Sequence, residues 1–197
     1  MADPRTLAGA TPIVDGYPII VRLDGRPVLV VGGGVIGLRK TEGLLSSGAT
    51  ITAVSPVFAD GWAELADAYP DRLTLVTRCY ETSDLDGMWL VVAATNAPVV
   101  QQRIFDECEE RRVFCNAVDD PDRCAFILPA VVRRGPVLVA VSTQGRSPTL
   151  AKHLKDVLAA AIPDDIEALA ERLAAERKAI QARGESTEDH DWPNPLG

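Results

Sequence analysis

No stretch of this 197-residue chain approaches the about 20 consecutive apolar residues that a membrane-spanning helix requires. Its first residues, MADPRTLAGATPIVDG, also lack the charged-then-apolar order of a secretory signal. A cytoplasmic protein with no membrane partner is the expectation. Cysteine is sparse: Cys79, Cys108, Cys115 and Cys124 show no Cys-x-x-Cys spacing, which speaks against structural zinc and disulfides. Histidine is sparser still, with only His153 and His190, neither of which has a partner at ligand spacing, so no metal site is expected. Basic residues are outnumbered, 20 Lys and Arg against 28 Asp and Glu. The resulting net charge of −8 opposes a nucleic-acid partner, whose affinity depends on clustered cations, but it leaves room for a local basic pocket.

The chain has 47% hydrophobic residues, enough to bury one main core with a smaller appendage. The run RPVLVVGGGVIGLRK, from Arg26 to Lys40, reads as a buried strand, a glycine turn and a helix start. Gly32, Gly34 and Gly37 form Gly-x-Gly-x-x-Gly. In that pattern the first glycine permits a tight turn, the second admits a pyrophosphate and the third lets helix and strand pack closely. A helix beginning there aims free N–H groups and the positive end of its dipole at an anion.

Downstream, the hydrophobic period switches repeatedly between two and 3.6. A helix is expected over 37–47 with Leu38, Leu44 and Leu45 inward and Gly48 closing it. Strands are expected over 50–54, 73–76, 88–93 and 113–118, with helices over 58–69 and 98–111. Strands alternating with helices of this length indicate an α/β fold, a Rossmann-like doubly wound parallel sheet over 1–118. Segments 125–132 and 136–142 then read as a hairpin turning at Arg133, Arg134 and Gly135. The segment 119–146 is thus extended, and a helical region over 147–182 follows, opened by Ser147 and Pro148. The polar, acidic tail 183–197 is expected to fray.

Ligands of such sheets bind outside the carboxyl ends of the strands, so four loops carry the site. The first holds Gly32 to Gly37. The second holds Ser55, Pro56 and Val57, where an acidic residue would ordinarily grip an adenosine ribose; Ser55 can do so more loosely, and no Arg follows to favour a 2′-phosphate, so NAD is expected over NADP. The third holds Thr95, read either as a ribose contact or as a cap on the next helix. The fourth holds Asn116, Asp119 and Asp120. A carboxylate there is placed to take a proton while hydride leaves a substrate, or else the two aspartates shape a turn before Pro121.

Several blocks in order match a known family: Tyr17-Pro18, VVGGGVIGLRK, LDGMWLVVAAT from Leu85, FCNAVDDP from Phe114, FILPA from Phe126 and VAVSTQGRSPTLAKHLK from Val139. Over about 17–158 the chain resembles the dehydrogenase domain of the siroheme synthases, the precorrin-2 dehydrogenase and sirohydrochlorin ferrochelatase family. The resemblance implies oxidation of precorrin-2, a polycarboxylate tetrapyrrole, to sirohydrochlorin with NAD⁺ as acceptor, and in some members insertion of Fe²⁺. It places the family's essential aspartate on Asp119 and its NAD backbone contacts on Val35, Ile36, Pro56 and Val57. It also implies a homodimer whose interface is built from 116–147, and puts Thr143 where relatives have a phosphorylatable serine. Asn116, Arg39, Arg146 and Lys152 are the expected substrate contacts, the cations because guanidinium and ammonium groups clamp carboxylates. Arg146 is favoured further by lying before a helix N-terminus. Two departures stand out: Asn96-Ala97-Pro98 replaces the acidic residues common after Ala-Ala-Thr, and the helical region is shorter, so less of it is expected to cover a tetrapyrrole. Iron insertion is left open, with Asp119 available as the base. The competing readings are a module that senses NAD(H) without turnover, and a dehydrogenase of another polycarboxylate.

Overall fold

The computed structural model describes residues 16–188, 190 and 192. The N-terminal stretch read for a signal, 1–15, and residues 189, 191 and 193–197 of the tail expected to fray lie outside them. The chain divides between Ile127 and Leu128 into two compact units.

The first unit is a five-stranded, all-parallel sheet built from β1 (Pro27–Gly33), β2 (Thr50–Phe58), β3 (Leu73–Thr77), β4 (Leu90–Ala93) and β5 (Phe114–Ala117). The strand order is β3-β2-β1-β4-β5, so the chain winds outward from β1 and then crosses to its other side at β4. That reversal opens a crevice at the carboxyl ends of β1 and β4. Both faces are covered, which is why the strands are apolar throughout rather than alternating. On one face Val28, Val30, Ile51 and Ala53 pack with Trp62; on the other Leu29, Val31, Val54 and Val91 pack with Ile104, Cys108 and Cys115.

Helix α1 (Val35–Leu45) begins directly after the glycine turn and buries Gly37, Thr41 and Leu45. Leu38 and Leu44, expected inward, are only half-buried, because the close contact at Gly37 turns the 37/41/45 stripe toward the sheet and leaves those leucines on its flanks. β2 runs four residues beyond its expected end. Its pairing with β1 jumps from Val31↔Val54 to Gly33↔Phe58, a bulge that accommodates Pro56, which has no N–H to give a regular ladder. Helix α2 (Trp62–Ala68) therefore starts later than expected, whereas α3 spans Pro98–Arg111 as the pattern predicts. No helix among the described residues is long and apolar enough to cross a membrane.

The second unit contains the antiparallel pair β6 (Ala130–Arg134) and β7 (Val137–Val141), then α4 (Pro148–Ala161) and α5 (Ile166–Ala182). The hairpin differs in its turn: Arg133 and Arg134 stay in the ladder opposite Leu138 and Val137, and the chain reverses at Gly135 and Pro136. Pro136 cannot donate to a ladder and Gly135 has a φ of 52°, so the reversal falls on the two residues least suited to the strands. Ser147 caps α4, its Oγ accepting from the Leu150 N–H at 3.2 Å. Ser147→Ala should cost about 1 kcal/mol in chemical denaturation; an unchanged midpoint would show that the cap adds nothing.

Candidate functional site

The glycine turn is held from three sides. A Cβ on Gly32, whose φ is +119°, would sit 2.3 Å from the Ala94 carbonyl oxygen; one on Gly33 would sit 2.3 Å from the Val57 oxygen; one on Gly37 would sit 2.2 Å from the Gly32 oxygen. Gly34 is different. Among the described residues nothing lies within 4 Å of a Cβ built there. The fold itself therefore demands Gly32, Gly33 and Gly37, and leaves the space above Gly34 open.

α1 meets that space uncapped. Its first hydrogen bond runs from the Leu38 N–H to the Gly34 oxygen, so the N–H groups of Val35, Ile36 and Gly37 have no helical acceptor. No side chain among the described residues caps the helix, and no acidic residue occupies its first turn. An anion is thus unopposed, and an open cradle over free amides fits a dinucleotide diphosphate. Val35 is 71% exposed and Ile36 is exposed beside it. From below, the buried Trp62 points its indole N–H at the Gly34 carbonyl.

At the end of β2, Ser55 is buried and its hydroxyl donates to the Val57 oxygen at 2.7 Å. The residues expected as a loop are strand, and the donor expected for a ribose is committed within the bulge. The open surface there belongs to Pro56 and Val57, the latter 74% exposed. Thr95 Oγ1 accepts from the Ala97 N–H at 3.3 Å, closing the turn into α3.

The loop after β5 is tied at almost every polar group. The Asn116 amide donates to the Phe126 oxygen at 2.9 Å, the Cys124 thiol lies 3.1 Å from the Ala117 and Asp120 oxygens, and Arg123 pairs with the Asp120 carboxylate. Gln101, from α3, donates through Nε2 to the Ala93 oxygen at 3.3 Å and the Val118 oxygen at 3.1 Å. Asp119 stands apart. It adopts φ +62°, a left-handed conformation costing on the order of 1 kcal/mol for a non-glycine residue, and is exposed. Among the described residues nothing hydrogen-bonds or pairs with its carboxylate.

Of the expected substrate contacts, Asn116 is 8% exposed and its amide shapes the loop instead of facing outward. Arg39 is exposed on α1. Arg146 and Lys152 belong to the second unit, Arg146 in the turn after β7 and Lys152 on α4, both exposed. Lys40, beside Arg39 on α1, is half-buried; burial, then the Arg39 guanidinium, pulls its pKa below the ordinary range, while Asp119 and the Cys124 thiol oppose this. Gln101 is a further residue of the site that no motif singles out. The available signal was a polar residue at 101 on the same helical stripe as Ile104 and Cys108. Among the described residues no group of three or more His, Cys, Asp or Glu side chains is placed to hold a metal ion.

The NAD_binding_7 family model, an NAD(P)-binding family, matches residues 19–130. Siroheme synthase 1 of Aeromonas hydrophila is 37% identical over 172 residues, covering 86% of this chain and 36% of that protein. The siroheme synthase of Enterobacter sp. strain 638 is 41% identical over 170 residues, covering 84% of this chain and 36% of its own length. The chain therefore spans little more than a third of these relatives. The solved structure of SirC, precorrin-2 dehydrogenase, superposes with a TM-score of 0.70 at 27% identity, covering 91% of this chain and 84% of that one. The chain belongs to the NAD_binding_7 family of NAD(P)-binding domains, and over most of its length it is homologous to the siroheme synthases.

Proposed function

We propose that this protein is an NAD-dependent dehydrogenase that oxidises precorrin-2 to sirohydrochlorin in siroheme biosynthesis. The observation that carries the reading is Asp119: a carboxylate with no partner among the described residues, in a left-handed conformation, on a loop where Asn116, Asp120, Arg123 and Cys124 are all engaged. Such strain is retained where a side chain must be presented. The relatives named for siroheme synthesis and precorrin-2 dehydrogenation support the substrate class.

When bound, NAD⁺ supplies the hydride acceptor. The Val35 and Ile36 amides would hold its diphosphate, and the Pro56–Val57 surface and Thr95 would flank the rest of the cofactor. The absence of an Arg after β2 favours NAD over NADP. Oxidation removes one hydride and one proton from precorrin-2, and Asp119 accepts the proton before releasing it to water, help worth roughly 10²- to 10⁴-fold. Arg39, Arg146 and Lys152 are the proposed partners of substrate carboxylates. A homodimer built from 116–147 goes with this reading, and the half-buried apolar side chains of β6 and β7 support it. The cytoplasm is the proposed compartment.

The test supplies precorrin-2 and NAD⁺ to the purified chain and follows NADH together with the sirohydrochlorin spectrum. One NADH per sirohydrochlorin is expected. NAD binding with no turnover would replace this reading with a sensing module. Adding Fe²⁺ to sirohydrochlorin, as a separate reaction, decides whether iron insertion accompanies it.

A further inference from the structure

We propose that Gln101 is the positioning residue for Asp119, its single amide clamping the carboxyl ends of β4 and β5 so that the carboxylate is held at the crevice. This rests on the dehydrogenase reading above. Gln101 is 8% exposed and opens the stripe by which α3 packs on the sheet, ahead of Ile104 and Cys108. Packing alone would favour an apolar side chain there, since a buried amide is tolerated only when its hydrogen bonds are made.

The two acceptors are not equivalent. The Ala93 oxygen already receives the Val118 N–H at 2.9 Å and does not need a second donor. For the Val118 oxygen, Gln101 is the donor, and no other reaches it among the described residues. That oxygen belongs to the peptide plane joining Val118 to Asp119. Because the plane is rigid, fixing its carbonyl fixes the rotation from which the φ of Asp119 is set. Without the clamp the plane is free to turn over, which would carry Asp119 from φ +62° toward the negative values that L residues prefer and swing its side chain away. Asn116 and Cys124 secure the far side of the same loop but do not touch this plane.

Gln101→Met keeps the length of the side chain and removes the donor; Gln101→Asn keeps an amide but shortens its reach. Each is measured for thermal midpoint, NAD affinity, KM for precorrin-2 and kcat, beside Asp119→Asn. The expected result is a kcat lowered about 10- to 100-fold, with NAD affinity and KM within about threefold of wild type, because a misplaced base weakens the reacting step and not ground-state binding. A folded Gln101 variant with kcat within twofold of wild type overturns the inference, as does a parallel worsening of affinity, KM and kcat. Failure of both variants to fold also overturns it, by making Gln101 a residue of the core alone. If Asp119→Asn itself retains full turnover, the underlying reading has failed, whatever Gln101 does.

Discussion

Asp119→Asn should reduce turnover of precorrin-2 by roughly 10²- to 10⁴-fold while leaving NAD affinity within about threefold of wild type. The substitution changes little except the ability to accept a proton. Asn has nearly the shape of Asp and tolerates left-handed backbone equally well, so φ +62° at this position is not disturbed. No ion pair or hydrogen bond to the carboxylate is lost among the described residues, and the fold should hold its thermal midpoint. The proposed diphosphate cradle lies on another loop, at Gly34 and the first turn of α1, which is why binding and turnover should separate. Steady-state rates with isothermal titration of NAD check this. Turnover within a few-fold of wild type would remove Asp119 from the chemistry.

Two adjacent glycines should behave in opposite ways. Gly33→Ala drives a methyl group to 2.3 Å from the Val57 oxygen and 2.8 Å from the Phe58 ring, so the β2 bulge must move. A loss of about 1–3 kcal/mol in stability is expected, visible as a lower denaturation midpoint without any ligand. At Gly34 an added Cβ meets nothing within 4 Å among the described residues, and φ −78° with ψ 179° suits any residue, so Gly34→Asp is accommodated. Aspartate is also a good N-cap for α1, which has no side-chain cap, so stability should be unchanged or a few tenths of a kcal/mol higher. NAD binding should nevertheless fall below detection, because the new carboxylate faces the diphosphate. A Gly34→Asp protein that still binds NAD normally would show that the cradle lies elsewhere.

The glycine turn and the strand–helix alternation were legible in the sequence because each is local: an apolar run, a turn and a periodic stripe leave marks within a few residues of one another. The bounds of α3 follow from Pro98 at its start and the apolar period within it. What could not be read was set by partners distant in sequence. Gly33 falls on a variable position of the nucleotide motif, yet it is as tightly enclosed as Gly32, because the β2 bulge presses on it from Ser55 to Phe58. Pro56 marked an end to β2 that the bulge bypasses. Asn116 has the chemistry of a ligand contact, but its amide is used by Phe126 ten residues on. Arg39 and Lys40 look interchangeable in sequence; once Gly37 and Thr41 are known to face the sheet, the helical turn puts Lys40 at the edge of that face and Arg39 opposite it.

A structure of the full chain with NAD⁺ bound tests the central claim most directly. The account predicts the diphosphate over Gly34 against the amides of Val35 and Ile36, with the nicotinamide ring beside the carboxylate of Asp119. A diphosphate bound away from Gly34, or a nicotinamide turned away from the loop after β5, would contradict it.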